Sequence, residues 1–107
     1  MKIVEKTWGR EEIVYADQHY TCKKLVYTRP IASSFHCHHV KHETFVIASG
    51  QFSIRVGEDE LRMYPGDSAV IPPNTYHRVQ CLIPGTIIEA STFDDPADCH
   101  RLIPSEA

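Results

Sequence analysis

The 107-residue sequence predicts an all-β domain, a sandwich or small barrel, from three observations. Short runs rich in β-branched and aromatic residues recur along the chain. Turn signals separate those runs at intervals suited to a sandwich or barrel. Helical signal is nearly absent: the best candidate is a turn or so within "DDPADCHRL" (94–102).

The predicted strands are "YTCKKLVYTR" (20–29), "TFVIAS" (44–49), "QFSIRV" (51–56), "SAVIP" (68–72), "HRVQCLI" (77–83) and "TIIEASTF" (86–93). The turns between them are "SG" (49–50), "GEDE" (57–60), "PGD" (65–67), "PPN" (72–74) and "PG" (84–85). Glycine, proline and asparagine stand there because turns need fixed or positive φ. A chain of this size supports one core, so 1–107 is read as a single domain. Residues 1–19 are an N-terminal arm, 20–93 the barrel core and 94–107 a tail with a loose end.

Composition narrows the partners. The chain is 42% hydrophobic and 23% charged, with a formal net charge of −3. No basic patch stands out, which argues against nucleic acid. No apolar run reaches the length of a membrane span. "MKIVEKTWGREE" lacks the apolar stretch of a secretory leader. Cys22, Cys37, Cys81 and Cys99 are far apart and form no CxxC pair. Reduced thiols and a cytoplasmic location are therefore expected.

Chemistry concentrates in "SSFHCHHVKHETFVIASG" (33–50), where four of the seven histidines lie between positions 36 and 42. On a strand, alternation sends His36 and His38 to one face and Cys37 to the other. Two imidazoles on the same face, two residues apart, can bind one ion. "HHVK" reads as a tight polar connection. Glu43 then opens the next strand and shares a face with Phe45 and Ile47. A lone carboxylate on an interior face is costly unless paired or bound to metal. Downstream, "IPPNTYHRV" ends one strand and opens another at His77, a third imidazole for the same site.

These residues resemble the cupin family, and the resemblance runs from about Tyr20 to Thr92. The first cupin motif, G-x5-H-x-H-x(3,4)-E-x6-G, is met by His36, His38, Glu43 and Gly50, with Pro30 at its leading glycine. The second, G-x5-P-x-G-x2-H-x3-N, is met by Gly66, Pro72 and His77. Asn74 replaces its central glycine, a mild change because Asn tolerates the left-handed region, and Cys81 replaces its last residue. The resemblance implies a small cupin β-barrel, a double-sheet jelly roll, with a divalent metal held by His36, His38, Glu43 and His77. It also implies a homodimer, formed through sheet faces or exchanged N-terminal strands.

A narrower resemblance covers "EKTWGREEIV", "KHETFVIASG", "IPPNTYHRV" and "IIEASTFDD". These are similar to the C-terminal cupin domain of type II mannose-6-phosphate isomerases, although "SFHCHH" lacks the glutamine of that group. This implies a sugar phosphate or sugar nucleotide as ligand and an isomerase or epimerase as the activity. An iron-dependent dioxygenase and a non-catalytic sugar-binding or structural module are the alternatives. The metal would be manganese, iron, nickel or zinc, all suited to an imidazole–carboxylate set. Lys24 is expected to point into the barrel, as base partner or phosphate ligand. Glu89 is expected inward as general base. Arg101 is expected at a substrate phosphate, and Tyr76 at the mouth. Trp8 is read as a staple for the N-terminal arm, and His39 and His42 as exposed.

Overall fold

A computed structural model describes residues 1–106. Eleven strands are formed among the described residues. They are β1 (Lys2–Lys6), β2 (Gly9–Ala16), β3 (Thr21–Tyr27), β4 (Phe35–His38), β5 (Glu43–Ile47) and β6 (Gln51–Val56). The rest are β7 (Asp59–Met63), β8 (Ser68–Ile71), β9 (His77–Ile83), β10 (Gly85–Ser91) and β11 (Cys99–Ile103). Two antiparallel sheets result. One runs β1-β2-β3-β10-β5-β8 and the other β11-β4-β9-β6-β7. Consecutive strands cross between sheets at several points, so residues distant in sequence share the interior.

Three regions differ from expectation, each because backbone pairing overrides a weak local signal. Residues 1–19 are no free arm: β1 and β2 form a hairpin, and β2 pairs with β3 of the same chain. "GEDE" is only half turn, since Asp59 and Glu60 already belong to β7. In the tail, Cys99–Ile103 adds an edge strand beside β4. The helical turn is confined to a 3-10 turn at Pro96–Asp98, capped by the Asp95 side chain accepting from the amide of Ala97.

The apolar part of the interior is built from alternate residues of both sheets. Ile47, Phe52, Ile54, Ile71 and Ile87 are fully buried. Such side chains each contribute about 1.5–3 kcal/mol on leaving water. Trp8 stacks on Tyr27 at 4.1 Å between ring centroids, and the Tyr27 and Phe52 rings meet in a T-shaped contact at 5.2 Å. Trp8 thus fixes the β1–β2 hairpin to the barrel.

Two turn positions have special backbone needs. Gly50 sits at φ 81°, and a Cβ there would lie 2.5 Å from the carbonyl oxygen of Ile83. Only glycine fits. Asn74 has φ 61°, so the residue replacing the motif glycine does adopt the left-handed region. Its amide donates to the carbonyl of His38 at 2.7 Å. That bond ties the turn before β9 to the end of β4.

Candidate functional site

The site is assembled across the two sheets at one end of the barrel. His36 on β4 lies directly opposite His77 on β9, and paired residues on antiparallel strands share a face. Their ring centroids are 4.5 Å apart, and those of His36 and His38 are 5.1 Å apart. One ring nitrogen from each of His36, His38 and His77 falls within 4.8 Å of the others. This cluster could hold a metal ion. From the facing sheet, β5 sends in Glu43, 3% exposed, whose Oε2 reaches His77 Nε2 at 3.2 Å. Glu43, Phe45 and Ile47 share the inner face, as alternation predicts.

The other ring nitrogens are anchored. Nδ1 of His36 lies 3.1 Å from the carbonyl of Ser34, Nδ1 of His38 lies 3.1 Å from that of Asp98, and Nδ1 of His77 lies 3.1 Å from that of Thr75. A carbonyl can only accept, so the Nδ1 atoms of His38 and His77 carry the proton and leave Nε2 free to present a lone pair, whereas Nδ1 of His36 also lies 2.7 Å from the Ser34 hydroxyl, which can donate or accept. Burial, followed by the neighbouring His77 and His38, pushes the His36 imidazole down to about 3 against opposition from Glu43 and Ser34. It is therefore neutral at physiological pH, the form that binds metal. His38 is also lowered, chiefly by burial.

The residues fit a metal on a second ground. Glu43 Oε2 is buried and lacks a hydrogen-bond donor, although it touches the Nε2 of His77. With the His77 proton on Nδ1, that contact sets lone pair against lone pair. Only a cation, whether a proton on the ring or a metal ion, relieves it. Burial would raise Glu43, but a hydrogen bond from His77, made when its Nε2 carries a proton, and the Lys41 ammonium outweigh it and hold the carboxyl down to about 2.

Behind the histidines lies a buried ionic network. Lys41, 4% exposed, places its ammonium 3.0 Å from Glu43, 2.9 Å from Glu89 and 3.1 Å from Asp94. Lys23 bonds Asp94 at 2.5 Å and Glu11 at 3.3 Å. Desolvation lowers both lysines, but the surrounding carboxylates more than restore them, so both stay charged. Glu89 is raised above the usual carboxylate range by burial, with Glu43 adding to the rise and Lys41 opposing it. Four carboxylates, those of Glu11, Glu43, Glu89 and Asp94, share two buried ammoniums. The excess negative charge suits a cation at the histidines.

Two expected orientations are corrected. Lys24 is exposed and Lys23 is buried, the reverse of the expected phase of β3. Leu25 and Tyr27 carry more apolar surface than Cys22 and Val26, so the Thr21–Lys23–Leu25–Tyr27 face turns inward, and Lys24 has no access to the interior. Tyr76 does not line the mouth: its ring packs on Phe35 at 5.4 Å and its hydroxyl contacts Cys37. Phe35 and Cys37 alternate with His36, which places Tyr76 outside the barrel. Glu89 does point inward. Arg101 pairs directly with His36 on the edge strand, so it shares the histidine face, where it is exposed. Lys41, Asp94 and Asp98 escaped the sequence analysis. Lys41 had one signal, its two-residue spacing from Glu43, which puts both side chains on one face of an extended chain.

A family model described as "Cupin domain" matches residues 28–87, more than half of the chain. The chain belongs to the cupin family. A curated relative, the mannose-1-phosphate guanylyltransferase of Salmonella muenchen, is 28% identical over 106 residues. That match covers 92% of this cupin but only 22% of the relative. Among solved structures, KdgF from Halomonas sp. superposes with a TM-score of 0.80 at 17% identity, covering 91% of this chain and 90% of that one. An RmlC-like cupin from Shewanella frigidimarina gives 0.77 at 17%, covering 90% and 86%. Streptomyces Pac13, described as a nucleoside dehydratase and solved with uridine, gives 0.79 at 12%, covering 95% and 84%. These likenesses show the fold, a cupin barrel of two sheets. Among the described residues no helix is long and apolar enough to cross a membrane.

Proposed function

We propose that this cupin binds one divalent transition-metal ion through His36, His38, Glu43 and His77, and acts there as an isomerase or epimerase on a sugar phosphate or sugar nucleotide. One observation carries the reading. Three imidazoles cluster within ligand distance of one another, and an undonated Glu43 oxygen lies 3.2 Å from one of them, His77, beside a buried carboxyl, Glu89, whose affinity for protons is raised. Imidazole and carboxylate donors suit manganese, iron, nickel or zinc. When bound, such an ion supplies a Lewis acid that polarises a carbonyl oxygen.

The chain's own groups do the rest. Glu89 accepts bonds from Ser91 Oγ at 2.8 Å and Lys41 at 2.9 Å, both on Oε2. Oε1 is left to exchange a proton with a ligand. A carboxyl raised toward neutrality is a stronger base than an exposed one, which suits proton transfer between adjacent carbons. Lys41 stabilises charge on Glu43 and Glu89 together. Lys23 and Lys41 are both committed to carboxylates, so a phosphate finds no spare cation inside. Arg101 makes no ion pair among the described residues and stands at the rim beside His36, where a guanidinium suits phosphate oxygens. The ligand would enter with its sugar inward and its phosphate outward. The curated relative and Pac13, named for a mannose phosphate and a nucleoside, support a sugar-containing ligand.

The test loads stripped protein with manganese, iron, nickel or zinc and incubates it in D2O with mannose-6-phosphate, fructose-6-phosphate and common nucleotide sugars. Deuterium should enter the carbon next to the carbonyl. Glu89→Gln should lose that exchange while keeping its metal, and His36→Ala/His77→Ala should lose both. No exchange with any sugar under any metal, or full exchange in Glu89→Gln, would overturn the reading.

A further inference from the structure

A second group of potential ligands lies outside the barrel. His39, Asp98 and His100 each offer one ligand atom within 4.8 Å of the others. The three come from separate places: the loop after β4, the end of the 3-10 turn and the second residue of β11. We infer that they form a second cation site, suited to a zinc-like ion of borderline softness and distinct from the interior histidines.

The local geometry explains why these groups are poised. His39 and His100 stack at 3.9 Å with rings 16° from parallel. His100 Nε2 lies 3.9 Å from Asp98 Oδ1. Donors about 2.0–2.2 Å from a tetrahedral zinc lie about 3.3–3.6 Å apart, so a few tenths of an ångström of side-chain movement lets one ion bridge them. The Asp98 carboxylate is fixed in advance. Oδ1 accepts from the amide of His39 at 2.8 Å, while Oδ2 accepts from Val40 at 3.2 Å and Lys41 at 3.0 Å. Oδ2 has used both lone pairs and Oδ1 only one. The remaining lone pair belongs to the oxygen near His100. Two imidazoles and one carboxylate form a three-ligand zinc set with positions left for water. Exposure of His39 and partial exposure of His100 give the ion a direct path from solvent.

Asp98 also links the two sites. Its carbonyl accepts from Nδ1 of His38, and its carboxylate holds the amide of Lys41. The two sites can still be separated by substitution, because neither of the outer imidazoles contributes to the interior.

Zinc alone is the probe, titrated calorimetrically into stripped protein whose folding is checked by circular dichroism. Wild type should take up two equivalents. His39→Ala/His100→Ala should take up one. His36→Ala/His77→Ala should also take up one, and the quadruple variant none. A wild type with one equivalent, retained at the same affinity in His39→Ala/His100→Ala, overturns the outer site and leaves the interior reading intact. One equivalent lost in that variant but kept in His36→Ala/His77→Ala supports the outer site and overturns the interior one. If the interior variant does not fold, the step from two equivalents to one in His39→Ala/His100→Ala decides the matter.

Discussion

The two ends of the barrel interior obey different physics. At one end Trp8, Tyr27, Ile47, Phe52, Met63 and Ile87 pack rings and branched chains with little polar content. At the other, within the same two sheets, lie three imidazoles, four carboxylates and two ammoniums. The first end stabilises the fold by removing apolar surface from water. The second buries charges that apolar side chains of similar size would replace at equal or greater stability. The apolar end supplies the stability that offsets the burial of such a group.

The largest expected effect is at the apolar end. Phe52 is 0% exposed, and Phe52→Ala should cost about 3–5 kcal/mol in denaturant unfolding. The cost should be the same with and without metal. A loss that depended on metal would couple the two ends and break the contrast. Next comes the ionic network. Lys23→Met strips Asp94 and Glu11 of a buried partner and should cost about 3 kcal/mol, whereas Lys24→Met, on the outer face, should stay within about 0.5 kcal/mol. Equal effects at the two positions would contradict the inward phase of β3.

A smaller effect carries a pH signature. Desolvation would raise Asp94, but Lys23 and Lys41 hold it below its ordinary value. A carboxyl lowered in the folded state contributes its stability above the unfolded value, about 3.9, and loses it as pH falls through the folded value. Asp94→Asn should therefore cost about 2 kcal/mol at pH 7, and the gap from wild type should close below about pH 4. Melting curves from pH 7 to 2.5 would check this, and a gap that is flat with pH would deny the ion pairs their part. Smallest is the turn that delivers His77. Asn74→Ala should cost about 1–2 kcal/mol for its left-handed backbone, while Asn74→Gly should be close to neutral. Equal losses in both would point to the Asn side chain rather than the backbone.

Much of this contrast was legible in the chain. The apolar runs and turn residues give the strands, and alternation gives the common face of Glu43, Phe45 and Ile47. Glu89 also carried an inward signal, through the resemblance of its strand to the last inner strand of cupins. The phase of β3 was not legible, because "TCKKLVY" offers a lysine flanked by apolar residues on either face. Tyr76 stood next to a ligand-type histidine, and adjacency in a strand means opposite faces, which the expected mouth position ignored. Lys41 looked like part of a solvated connection until Asp94 and Glu89, about fifty residues away, closed around it.

By itself the sequence determined the all-β class, the cupin motifs and the spacing of the histidines, since each depends on residues within a few positions of one another. Strand alternation and turn geometry are local, so a single chain states them directly. Only the tertiary structure decided which lysine is buried, where Tyr76 packs, that the N-terminal segment is a hairpin of the barrel, and that Asp98 joins β11 to the histidine loop. Those outcomes depend on pairing between distant strands. There the burial of a whole face, and the cost of leaving a buried charge without its partner, outweigh what any short stretch prefers.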